Sequence, residues 1–482
     1  MVIGTTRNVK PLVFLGVLSL LFGCTSTDSE SPNARQWLAG DHHIHSRYSV
    51  GWDREQNPPA PIVGGDAIYP IQMNALMGKY FGLSWMVTTD HGGPNHSKIH
   101  LELAYPELVQ SRLVVSEVIQ FYGMELDTPG GEHSSLIIPH TDDEAEMLRR
   151  LESDFGRVEA FPVDPGRDTE AKMIEALVVM RTMKHPPVVI ANHPSRTATG
   201  DREYGRYDPA EFRRWNDTAP EVAVGMAGAP GHQAIALTNH PLATNKERLL
   251  RGAYRDFPTM GGFDQMTAKL GGFWDSMLGE GRRWWITANS DSHKHYSEGG
   301  ADFWPGEYSK TYVYAEKNHD SILAGLRAGH VFVTTGDLIS ELSVDVTQGN
   351  RSASIGDELV ASTASEVTVN IRVRDPEGVN AGGENAEVNR IDLIVGGVTG
   401  KASDPASDKN DTARVVHRFT PQEWSRDGEY LLMSRMISVD GPLYVRVRGT
   451  NTNELEPEKD PPAENPWRDL WFYSNPVFVT TQ

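Results

Sequence analysis

Trp37-Leu38-Ala39-Gly40-Asp41-His42-His43-Ile44-His45 starts as an apolar run and ends on a His-x-His pair. Side chains alternate faces along a strand, so His43 and His45 share one face and His42 takes the other. Two imidazoles aimed the same way are half of a metal site. A single such pair arises readily by chance. Its weight comes from four further clusters, each just behind another apolar run: Thr89-Asp90-His91, Gly123-Met124-Glu125 with His133 beyond a Gly-rich loop, Ala191-Asn192-His193-Pro194, and Asn289-Ser290-Asp291-Ser292-His293.

Outward from these clusters, apolar and amphipathic runs alternate from Trp37 to about Thr335. Strands are predicted at Leu83–Thr88, Val118–Met124, Ser134–Ile138, Val188–Ala191, Glu221–Val224 and Trp284–Ala288. Helices are predicted at Asp66–Tyr80, Glu144–Glu152, Thr169–Lys184, Phe263–Leu278 and Asp320–Ala328. In Thr169–Lys184 the residues Met173, Ala176, Leu177 and Met180 recur at helical spacing, with Asp168 or Thr169 as the cap. Such alternation predicts an α/β architecture, a barrel of parallel strands. Functional residues of these barrels collect where the strands end, so the five clusters would converge on one mouth.

Past Gly336 the texture changes. Val367–Val373, Asn389–Val395, Glu429–Met433, Leu443–Val447 and Pro476–Val479 read as short strands between polar loops, which predicts a β-sandwich-like domain over 337–482. The barrel is expected over 37–336. At the other end, Arg7 and Lys10 precede an apolar stretch from Leu12 to Phe22 that is too short for an ordinary membrane span. Leu21-Phe22-Gly23-Cys24 resembles a bacterial lipobox, which implies a leader over 1–23, lipidation of Cys24, and a polar tether over 24–36. The expected location is the cell envelope, anchored to a membrane.

The chain has 482 residues, of which 39% are hydrophobic and 23% charged, as in soluble globular proteins. A formal net charge of -20 argues against binding a nucleic-acid polymer. It does not argue against a phosphorylated small molecule, since bound cations reverse the local sign. Cys24 is the only cysteine, so no intramolecular disulfide and no thiolate metal site can form around it. Metals would be held by His, Asp and Glu, a set that suits zinc, manganese or iron. Glu125, which closes the third apolar run, is the best carboxylate to bridge two of them. Trp85, Trp274, Trp284, Trp285 and Trp304 read as core or interface residues, or as the lining of an apolar pocket. Asn239-His240-Pro241 imitates Asn192-His193-Pro194 but has a shorter apolar lead, and reads as loop, as does His232.

Taken as a set over Trp37 to Thr335, these motifs resemble the PHP (polymerase and histidinol phosphatase) superfamily. Gly325-Leu326-Arg327-Ala328-Gly329-His330 and the β-rich end Ser474-Asn475-Pro476-Val477 are similar to its secreted metallohydrolase branch, which includes carbaryl hydrolases. The resemblance implies a distorted seven-stranded (β/α) barrel with two or three divalent metals. By position, His43, His45, Glu125 and Asp291 would hold the first, Glu125, His133 and His193 the second, and His91 with His293 a third. Val50 stands where many members carry an aspartate ligand. Either the third site is absent or weak, or Asp53, His96 or His295 substitutes.

The expected activity is hydrolysis of a phosphate ester, with a metal-bridging hydroxide attacking in line. Arg196, Lys294 and His295 are candidates to grip phosphoryl oxygens, and His91 or His293 to protonate the leaving group. The same metals serve a carbamate or carboxyl-ester hydrolase. A surface-anchored binding module with an inactive barrel is the non-enzymatic alternative.

Overall fold

The first strand, β1 (Gln36–Ile44), is buried from Leu38 onward and organises what surrounds it. The computed structural model describes residues 34–231, 257–461 and 464–482. The elements after β1 are β2 (Gly51–Asp53), β3 (Ala60–Ile62), α1 (Ile71–Tyr80), β4 (Trp85–Thr88), α2 (His96–Ile99), α3 (Tyr105–Val114), β5 (Ile119–Asp127), β6 (His133–Ile138), α4 (Glu144–Phe155), α5 (Glu170–Arg181), β7 (Val188–Ala191), α6 (Pro209–Thr218) and β8 (Ala223–Ala229). Then come α7 (Gln265–Ala268), α8 (Phe273–Gly279), β9 (Trp285–Ala288), β10 (Ser309–Ala315), α9 (His319–Ala328) and β11 (Val331–Thr335).

Within the sheet, β1, β4 and β5 run parallel, as do β7, β8 and β9. Between the two sets β6 runs antiparallel to both neighbours, so the architecture is a mixed α/β sheet and not a purely parallel one. The cause is local. Only residues 128–132 join β5 to β6, too few for the crossover that a parallel pair requires. Gly40 lets β1 approach β4: a Cβ there would lie 1.9 Å from the Trp85 ring.

The helices follow the apolar periodicity with two corrections. The predicted helix over Asp66–Tyr80 begins only at Ile71, because Pro70 is its extended cap. The one over Phe263–Leu278 is split into α7 and α8, since Gly271 takes a left-handed φ of 69° that interrupts the helical path. By contrast α5 matches its pattern: Thr169 accepts the Lys172 N–H, and Met173, Ala176, Leu177 and Met180 are buried. Trp85, Trp274, Trp284 and Trp285 lie in the core, and Trp304 is buried against His295.

The C-terminal strands are β12 (Glu341–Gln348), β13 (Arg351–Ala353), β14 (Glu358–Ala361), β15 (Ser365–Arg374), β16 (Arg390–Gly397), β17 (Arg414–Phe419), β18 (Ser425–Asp427), β19 (Tyr430–Val439), β20 (Leu443–Thr450), β21 (Trp471–Ser474) and β22 (Val477–Thr481). They divide between two sheets. β13, β12, β15, β19 and β18 form an antiparallel sheet, while β21 pairs with β11 and carries the others into the large sheet. Alternate residues of β12 and β15 point inward. They meet Leu393, Val445, Val447, Phe472 and Val479 from the large sheet in one apolar core. Residues Arg35–Gln482 cluster as one unit. Among the described residues no helix is long and apolar enough to cross a membrane. The expected leader, Cys24, His232 and Asn239-His240-Pro241 lie outside the described residues.

Candidate metal centre

The ends of β1, β4, β5, β7 and β9, with the start of β6, bring the clusters together. His43 Nε2 lies 3.1 Å from Glu125 Oε1 and 3.1 Å from Asp291 Oδ1. His45 Nε2 lies 3.0 Å from Asp291 Oδ1, 3.5 Å from Glu125 Oε2 and 2.9 Å from His43 Nε2. On its other side, Glu125 Oε1 is 3.1 Å from His133 Nδ1 and 3.1 Å from His193 Nε2. Glu125 therefore belongs to two ligand groups, one with His43, His45 and Asp291 and one with His133 and His193. All but His133 are buried. His193 and Asp291 sit at positive φ, 29° and 49°, an uncommon backbone state of the kind that gathers at functional sites.

Hydrogen bonding fixes the tautomer of His45. Ser49 Oγ donates to Asp90 at 2.9 Å, so at 2.8 Å it accepts from His45 Nδ1. That nitrogen carries the proton, and Nε2 turns a bare lone pair toward two carboxylates. Burial lowers the pKa of His45 well below the usual imidazole range, and neighbouring His293 adds to the shift, so the ring stays neutral. A neutral nitrogen lone pair 3.0 Å from a carboxylate oxygen is repulsive unless a cation is shared between them. The donor set thus fits a metal on the chemistry of its own atoms. His193 is kept neutral the same way: burial, with Arg196 nearby, lowers its pKa to about 4.

His133 is different. Burial opposes its charge, but Glu125 and Asp127 raise its pKa to about 10. Its Nε2 faces Asp127 at 3.5 Å, and Asp127 is in turn held by Arg157 at 3.3 Å. A metal ion bound at His133 Nδ1 would displace the proton there. Asn192 donates to Glu125 Oε1 at 3.1 Å and accepts from Ser135, whose hydroxyl also meets His42 Nδ1 at 3.0 Å. His42 points away from the ligands, as alternation requires, with Nε2 2.8 Å from Thr287 Oγ1.

A third group lies at the rim. His45, His91 and His293 bring ligand atoms within 4.8 Å of one another, and the His45 and His293 rings stack at 3.8 Å. Val50 is buried in the core. The carboxylate at this group is Asp66, with Oδ2 2.7 Å from His91 Nε2 and 3.5 Å from His293 Nε2. None of the three expected substitutes reaches it. Asp53 caps an exposed turn at Glu55 and Gln56. His96 pairs with Glu152 at 2.8 Å. His295 turns its Nε2 to Glu307 at 3.0 Å and stacks on Trp304, which occupies it away from the cluster. Lys294 is placed through its backbone N–H, 3.3 Å from Asp302. Arg196 does arrive, with Nη1 3.4 Å from His193 Nε2.

Two residues that sequence reasoning passed over matter here. Asp127 ends the strand that carries Glu125, and its position two residues on, hence on the same face, was an available signal. Asp66 has no such signal, because it sits among turn residues after Gly64-Gly65. No protein-family model and no curated protein matches the chain.

Proposed function

We propose that this chain is a metal-dependent hydrolase of the PHP type that cleaves phosphate esters. The observation that carries the reading is Glu125, a buried carboxylate shared by two histidine groups. Such a carboxylate is suited to bridge two ions. When bound, divalent metals would make water a strong nucleophile near neutral pH and offset charge on phosphoryl oxygens. His43, His45, Glu125 and Asp291 would hold the first ion, and Glu125, His133 and His193 the second. His91, His293 and Asp66 offer a place for a third.

The chain's own side chains do the rest. Arg196 is half-buried beside His193 and has a planar fork suited to grip a non-bridging oxygen. Burial opposes the charge on His91, but its hydrogen bond to Asp66 raises its pKa. In a two-ion enzyme this imidazolium is the group placed to hand a proton to the leaving oxygen. We read the sheet as a distorted barrel. Support comes from Asp291 N donating to His43 O and His45 N to Ser292 O, each at 3.0 Å, which joins the end of β9 to β1. We also place the chain on a membrane through lipidated Cys24. Labelling with a radioactive fatty acid, lost in Cys24→Ala, tests that.

A panel of phosphomonoester, phosphodiester and aryl-carbamate substrates tests the activity. Phosphoester turnover that depends on added metal supports it. Turnover of the carbamate alone would transfer the same centre to the other ester class.

A further inference from the structure

Behind the centre lies a second, separate cluster. His96 and His100 stand one helical turn apart, and both aim Nδ1 at the same carboxylate: His96 at Glu152 Oε1, 2.8 Å, and His100 at Glu152 Oε2, 2.6 Å. All three side chains are buried, with exposures of 0% for His96 and 1% for His100 and Glu152. His96 Nε2 lies 2.7 Å from the carbonyl oxygen of Tyr48, which can only accept. That nitrogen must therefore carry the proton, leaving Nδ1 as a lone pair toward Glu152 whenever the ring is neutral. A backbone carbonyl that orients one imidazole nitrogen is usual behind a metal ligand, and here the other nitrogen faces Glu152. The ring of His100 is oriented by its Nδ1 contact, since its buried Nε2 has no hydrogen-bond partner.

Further carboxylates stand nearby: Asp127 and Glu159 lie with Glu152 around Gly92, Gly93 and Met124. Gly92 lets them approach: a Cβ there would stand 3.1 Å from Glu152 Oε1 and 3.6 Å from Asp127 Oδ2. A buried carboxylate met by two imidazoles needs a positive charge beside it, supplied by a proton on an imidazole or by a metal ion.

We propose that His96, His100 and Glu152 form a second metal site, distinct from the Glu125 centre, which takes a divalent transition ion such as zinc. Two nitrogens and one oxygen, all buried, select such an ion over calcium or magnesium. The ion would tie three pieces together. Through His96 and Tyr48 it holds the loop that follows His45. Through α2 it holds the loop that carries His91. Through Glu152 it fastens both to α4. It touches no substrate, so it positions the catalytic loops.

The test uses the full chain, stripped with a chelator and reconstituted with cobalt(II), read by bound cobalt per chain and by its visible absorption. The Glu125→Gln/Asp291→Asn protein, with its catalytic centre disabled, is expected to retain bound cobalt, and adding His100→Gln to lower the count by one. In the otherwise unaltered chain, His100→Gln is expected to lower the count by one, which covers the case in which the double variant fails to fold. A folded double variant that binds no cobalt, or a His100→Gln protein with the wild-type count and spectrum, overturns the site. Either of those results together with metal-dependent hydrolysis by the wild-type chain would leave the proposed function standing.

Discussion

Glu125 and Asp291 in the candidate metal centre and Asp275 and Asp392, which meet arginines of the C-terminal strands, are equally buried carboxylates with opposite company. Asp275 receives Arg446 through Nε and Nη2 at 2.9 and 2.8 Å, the Tyr444 hydroxyl at 2.8 Å and the Gly271 N–H at 2.7 Å. Asp392 receives Arg390 at 2.8 Å and Arg448 at 3.1 Å. Arg446 and Arg448 also lie over the Trp274 and Trp471 rings. A guanidinium is always charged and offers only donors, so these carboxylates have their counter-charge within the protein. An imidazole offers a lone pair when it is neutral and takes up a proton where nearby carboxylates outweigh burial, as at His133. Around Glu125 and Asp291 the imidazoles form donor groups that could hold a metal ion. A buried acid faced by arginine has its counter-charge built in; a buried acid faced by histidine can exchange a proton for a metal ion.

The largest effect that can break this contrast is at the mouth. Glu125→Gln should abolish bound metal in both ligand groups and cut phosphoester turnover on the order of a thousandfold, read by metal analysis beside steady-state kinetics. Full activity with metal retained would refute the assignment of Glu125. Next, Arg446→Ala should destabilise the fold by about 3–5 kcal/mol, because it strands Asp275 without its counter-charge. Denaturant unfolding measures this, and the metal content of the folded variant should be unchanged. Third, chelation should lower the melting temperature of the wild-type chain, by the loss of about 2.7 kcal/mol if the ion is held at a hundred times its dissociation constant. The Glu125→Gln protein should respond less.

The smallest effect concerns a buried acid with neither kind of partner. Burial, with Glu170 second, raises the pKa of Glu211 to about 8, and its Oε1 has no hydrogen-bond partner. Below the unfolded carboxyl pKa both states are protonated and the group costs nothing. As pH rises toward 8 the unfolded chain gives up the proton first, so stability falls. Glu211→Gln should therefore stabilise by roughly 1–3 kcal/mol at pH 9 and have no effect near pH 4. A gain that is the same at both pH values would contradict the titration.

What could be read from the sequence was whatever local pattern encodes. Strand alternation separates His43 and His45 from His42, and apolar runs ending on polar residues mark Glu125, His193 and Asp291. The mixed strand directions were legible in principle, since the short loop before β6 forbids a parallel return. Asp66 was not legible: the helix pattern absorbs it, and only Pro70 shows that the helix begins later. The division of the C-terminal strands was not legible either, because it depends on β11 pairing with β21 far along the chain, and no periodicity encodes a partner. Nor does any local pattern join Glu152 on α4 to His96 and His100.

The central claim is that the mouth holds divalent ions that drive ester hydrolysis. Its most direct test strips the full chain with a chelator and titrates manganese or zinc back while bound metal and the hydrolysis of p-nitrophenyl phosphate and its diester are followed together. The account predicts a rate that rises with occupancy in the wild type and stays at background in Glu125→Gln. A fully metallated wild-type chain with no phosphoester turnover would contradict it.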